Sequence, residues 1–172
     1  MTWTAPPVTR TPPPNTGDEW TLLTGFLDWQ RVTLFWKCAG LTGEQLAERS
    51  APPSDLSLLG IVRHMAAVER GWFRRRFRGE DVEALYGTEV PRTAGFHDTD
   101  PGGAEADFAR LQEEVERARQ AIVGASLDDT FLHAERGELS LRWALLHMIE
   151  EYARHLGHAD LLRERIDGAV GV

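Results

Sequence analysis

The chain has 172 residues, a mass of 19.3 kDa and a net charge of −8, from 19 Lys plus Arg against 27 Asp plus Glu. That length suffices for one domain with its own core, and the acidic balance argues against a general binder of nucleic acid or anionic membrane, which needs a basic excess. A single cysteine, Cys38, excludes an intrachain disulfide framework and points to a reducing compartment.

Residues 1–17 carry Pro6, Pro7, Pro12, Pro13 and Pro14 and no apolar run of the kind a signal peptide needs. The sequence predicts an extended or disordered arm here, outside a domain spanning 18–168, with a cytoplasmic setting as the default. Packing along a partner subunit is an alternative use for the arm. No stretch of 18 apolar residues occurs, so no membrane-spanning helix is expected.

Helical spacing begins at Asp18, a suitable N-cap, with Leu22, Leu23, Phe26, Leu27, Val32, Leu34 and Phe35 forming the apolar face as far as Lys37. A short helical turn is expected over 43–49, before Pro52-Pro53 forces extended chain. Ser57 caps a second long helix reaching about Arg78, with Gly79 as its stop. Residues 80–103, rich in Gly, Pro, Thr and Asp, read as a long loop of the kind that forms lids or walls. A third helix is predicted over 104–124. Residues 128–138 read as irregular or briefly extended, with a turn at Arg136-Gly137-Glu138. Ser140 caps a fourth helix ending near Ile166. Four long helices and one long crossing loop predict an all-α four-helix bundle, with a looser helical fold as the alternative.

Three of the six histidines lie on the last helix. At about 100° per residue, His147, Glu151, His155 and His158 fall in a stripe of roughly 80° beside the apolar arc of Leu145, Met148, Ile149, Tyr152 and Leu156. Glu151 and His155, spaced i, i+4, set a carboxylate oxygen and an imidazole nitrogen one above the other. His64, flanked by apolar residues mid-helix, is the candidate third ligand from a facing helix. Two His and one Glu suit catalytic zinc with an open position, and equally Fe(II), Ni(II) or Mn(II). The blander reading is a satisfied core histidine opposite a partly solvated polar stripe.

The segments Phe26–Arg31, Ser57–Met65 with Glu69–Phe73, and Leu141–Glu164 resemble the first, second and fourth helices of the DinB-like four-helix bundles. They resemble more closely the DUF664 branch of these, the mycothiol S-transferase-like proteins. The resemblance implies a divalent metal held by His64, Glu151 and His155, with zinc first and nickel, iron or manganese as alternatives. His158 falls where many relatives have Gln, which leaves the coordination number open. The resemblance also implies a homodimer, and a mycothiol-like thiol as co-substrate transferred to a small electrophile. A metal-dependent hydrolase, or a non-catalytic metal- or small-molecule-binding stress-response protein, is the alternative. Coordination deprotonates a thiol that is otherwise mostly neutral at pH 7. His147 or His158 is then a candidate proton shuttle, against a plainer role in orienting a ligand. Arg70 and Arg74, i, i+4 in a run of arginines, are candidates to hold a carboxylate of the thiol cofactor, against a solvated helix end complementing its dipole. Cys38 and the tryptophans read as packing residues.

Overall fold

Asp18 caps the first helix, α1 (Glu19–Cys38), its Oδ1 accepting a hydrogen bond from the Thr21 amide at 2.8 Å. In the computed structural model of the protein, which describes residues 2–87 and 95–171, this helix is followed by the short α2 (Gly43–Ala47), started by a capping box between Thr42 and Gln45. The Ser57 hydroxyl then accepts from the Gly60 amide to open α3 (Leu58–Glu69). The same rod continues as a π-helix over Arg70–Phe77, and Gly79 ends it in the left-handed region at φ +71°. The second predicted helix thus has its expected extent but changes its hydrogen-bond pattern partway along.

Of the loop predicted over 80–103, residues 88–94 lie outside the described residues. The remainder carries two 3-10 turns, Leu85–Gly87 and Pro101–Gly103. Helix α4 (Ala104–Ala121) follows. Thr130–His133 (β1) and Gly137–Ser140 (β2) then pair antiparallel, with Phe131 opposite Leu139, where the sequence reading expected irregular or briefly extended chain with a turn at Arg136-Gly137-Glu138. Each strand has four residues and only Phe131 is buried, so no alternation of apolar and polar positions betrays the hairpin. Ser140 caps α5 (Leu141–Asp167), and Gly168 at φ +77° closes it.

The protein is mainly helical: α1 runs along α5, α3 along α4, and α3 also meets α5. Leu34, Leu59, Met65, Leu111, Leu145 and Met148 fill the space between them. One polar network crosses this core. Arg31 on α1 donates from Nε and Nη2 to the two oxygens of Glu69, both at 2.7 Å, and the Tyr152 hydroxyl donates to Glu69 Oε1 at 2.9 Å. Glu69 is fully buried, so this two-pronged pairing is what makes its charge tolerable, and it ties α1, α3 and α5 together.

The arm before α1 is extended and packed on the body. The Ala5 amide donates to the Leu41 carbonyl, and the Gly40 amide to the Ala5 carbonyl, at 2.9 and 2.8 Å. Trp3 meets Phe108 edge-on, and the Arg10 guanidinium lies 3.9 Å from the centre of the Trp36 ring.

Candidate metal centre

His64 sits in the middle of α3 and is 2% exposed. Helix α5 runs beside it and presents Glu151 and, one turn on, His155, which is also buried. Nε2 of His64 and Nε2 of His155 stand 3.3 and 3.4 Å from the same oxygen, Glu151 Oε1. One nitrogen or oxygen from each of the three residues lies within 4.8 Å of the others. Hydrogen bonds from His155 and then His64 hold the Glu151 carboxyl well below the usual carboxylate range, against the opposing effect of burial. An anionic oxygen between two imidazole nitrogens matches the donor set of a divalent transition-metal site.

Two neighbours shape this cluster. Nδ1 of His158 lies 3.4 Å from Nδ1 of His155, which engages the far side of that ring and leaves Nε2 facing Glu151. Phe96 stacks on His64 with ring centres 4.1 Å apart. The chain reaches that point through Gly95, whose φ is +90°; a Cβ there would fall 2.6 Å from the His64 backbone nitrogen. Both the backbone conformation and the close approach therefore require glycine. Arg63 Nε donates to the Gly95 carbonyl at 3.1 Å and fastens the segment to α3. This part of the 80–103 loop is a wall of the cluster.

The other candidate residues lie around this centre. His147, one turn before Glu151, is stacked on Trp143 and meets Trp72 edge-on at 4.7 Å; burial holds its pKa below the ordinary histidine value. Burial, and then the neighbouring His155, lower that of His158. Arg70 and Arg74 converge on the fully buried Glu114 of α4, at 2.5 Å and at 3.0 to 3.1 Å, and Arg74 also donates to Glu80 at 2.8 Å. Their carboxylate partner is the protein's own, and neither forms a solvated helix end. Cys38 is buried, and loss of solvation pushes its thiol up to about 12.

Sequence reasoning missed Phe96, because nothing in the composition of a loop says which of its residues returns to a helix. It also missed the Arg31–Glu69–Tyr152 network. A signal for that was present: Glu69 is the one acid in the largely apolar segment between Leu58 and Phe73, where an unpaired carboxylate would be costly.

A mainly helical fold with two imidazoles and a carboxylate converging from two of its helices places the chain among helical proteins with a candidate divalent-metal site. A family profile described as mycothiol S-transferase matches residues 22–168, and the chain belongs to that family. Among solved structures, the chain is similar to one described as a conserved protein of locus from Enterococcus faecalis, with a TM-score of 0.61 and 14% identity over 90% of this chain and 100% of that one. That likeness concerns the fold alone. No curated protein matches the chain.

Proposed function

We propose that the protein is a metal-dependent S-transferase that joins a low-molecular-weight, mycothiol-like thiol to a small electrophile, on a four-helix bundle of the DinB-like kind. The observation that carries this reading is the convergence of His64, Glu151 and His155 from two helices on one point, in a chain of the mycothiol S-transferase family. These three residues are the proposed ligands, of zinc or of another divalent ion such as nickel, iron or manganese. Bound there, such an ion supplies the Lewis acidity that turns a neutral thiol into a thiolate at neutral pH.

The chain's own residues do the rest. Glu151 brings the negative charge that balances a dication. His158 holds the His155 ring so that Nε2 faces Glu151. Phe96 covers the His64 ring and keeps water from that side. His147 and His158 are the imidazoles assigned to take up the thiol proton. Arg70 and Arg74 are assigned to the frame, because Glu114 already engages both.

The test pairs metal analysis with a thiol-dependent conjugation assay. The purified protein is expected to hold about one divalent ion per chain, as one three-residue cluster requires, and to conjugate 1-chloro-2,4-dinitrobenzene only when mycothiol is supplied. His155→Ala is expected to lose both properties. Turnover indifferent to the thiol would reject the transferase, and metal retained undiminished by His155→Ala would reject the ligand set.

A further inference from the structure

One layer along the groove from the His64–Glu151–His155 cluster, the paired rods α3 and α5 carry a second cluster. Trp72 lies two turns beyond His64, and His147 and Trp143 lie one and two turns before Glu151. Trp72 meets His147 at 4.7 Å and Trp143 at 5.4 Å, so the two rods touch here as they do at the candidate metal centre. The hairpin closes the side: His133 of β1 stacks on Trp72 with ring centres 5.4 Å apart. Trp72 is buried, whereas Trp143, His147 and His133 are half-buried.

Two cations stand at this aromatic wall. The Arg76 guanidinium lies 4.7 Å from the Trp72 ring centre and that of Arg136 5.4 Å from the Trp143 ring centre. Gly71 makes room for the first, since a Cβ at that position would fall 2.8 Å from Arg76 Nη1. Among the described residues neither guanidinium has a carboxylate within ion-pairing distance, unlike Arg31, Arg70, Arg74 and Arg142 in the same chain. After burial, the charges of both Arg76 and Arg136 press on His133 and lower its pKa, with exposed Glu135 opposing them. The cluster is therefore an aromatic surface edged by two guanidiniums that no carboxylate ion-pairs among the described residues, with exposed Glu135 as the opposing charge.

We propose that this cluster is the electrophile subsite and that it takes planar, π-conjugated substrates bearing an anionic group such as a carboxylate. The conjugated plane lies against Trp143, His147 and His133, and the anionic group meets Arg76 and Arg136. This assignment rests on the transferase reading for the word electrophile, but the binding it describes needs neither metal nor thiol.

The experiment is isothermal titration calorimetry on the full chain freed of metal with EDTA, using 2-naphthoate and its neutral analogue 2-naphthylmethanol. The carboxylate is expected to bind about tenfold more tightly than the alcohol, the discrimination of a charge-assisted contact at a partly solvated site. The double variant R76Q/R136Q is expected to bring naphthoate down to the alcohol's affinity, while Glu135→Gln, which removes the opposing charge, strengthens naphthoate binding. Circular dichroism checks that both variants are folded. Equal binding of the two probes by the wild-type protein, no saturable binding of naphthoate, or discrimination that survives R76Q/R136Q would overturn the proposal. Each of those results leaves metal content and thiol dependence untouched, so a failure here is distinguishable from a failure of the transferase reading.

Discussion

Two polar clusters bridge α3 and α5, and they begin from adjacent residues of α5. Tyr152 turns to Glu69, where Arg31 completes a set of three hydrogen bonds to one carboxylate, all from protein donors. Glu151 turns to His64 and His155, where one carboxylate oxygen faces two imidazoles and remains partly open to solvent. The first cluster is closed: its charge is matched by a bidentate guanidinium, and nothing further can be admitted. The second is held in shape from outside, by His158 and Phe96, with its nitrogen and oxygen donors facing inward. The comparison teaches a division of labour. A saturated ion pair fixes how the two helices are rotated, so that the neighbouring residues can hold an unsaturated donor set at rest.

The strongest test of that division is Glu69→Ala. It leaves the buried Arg31 guanidinium with only the half-exposed Asp28 carboxylate as its partner and is expected to cost about 3–5 kcal/mol in urea-monitored unfolding. A loss near zero would show that the closed cluster does not set the frame. Glu151→Gln is expected to act in the opposite sense. It should cost the metal-free protein only about 1 kcal/mol, a typical single-substitution effect, while abolishing stoichiometric metal in dialysed samples.

The Arg70–Glu114–Arg74 cluster sharpens the same contrast by pH. Burial opposes the charge of Glu114, yet hydrogen bonds from Arg70 and Arg74 hold its carboxyl below the ordinary value. A carboxyl depressed in the folded state contributes stability that is complete above its unfolded pKa of about 4.3 and is lost as pH falls below that value. Thermal midpoints of the wild type are therefore expected to drop through this acid range, and those of Glu114→Gln to start lower at pH 7 and drop less. The smallest expected signal concerns Cys38. Buried, and with its thiol pushed up to about 12, it is expected to leave Ellman's reagent unreacted at pH 8 until guanidinium unfolds the chain. Rapid labelling of the native protein would contradict its placement in the core.

Much of the candidate centre was legible in the sequence because its information is local. Glu151, His155 and His158 share a helix face at fixed spacing, and an amphipathic helix has little choice about where that face points. The caps at Asp18, Ser57 and Ser140 were legible for the same reason: a side chain bonds an amide three residues on. The partners chosen across space were not. Arg70 and Arg74 offer the same chemistry to a ligand and to Glu114, and only the approach of α4 decides between them. Trp72 and Trp143 read as packing residues, and their contact with His133 depended on a hairpin too short to carry a pattern. Phe96 reaches His64 only because the preceding residue lacks a side chain.

The proline-rich arm has a consequence for the order in which the molecule is assembled. Trp3 leaves the ribosome more than a hundred residues ahead of Phe108, the ring it finally rests against, and Ala5 ahead of the Leu41 carbonyl it pairs with. Ala5 can be placed once residue 41 has emerged, but Trp3 cannot take its final place until the third long helix has followed. The arm's prolines suit that interval, since a stiff extended strand does not collapse onto incomplete partners and still loses little freedom when it is finally laid down.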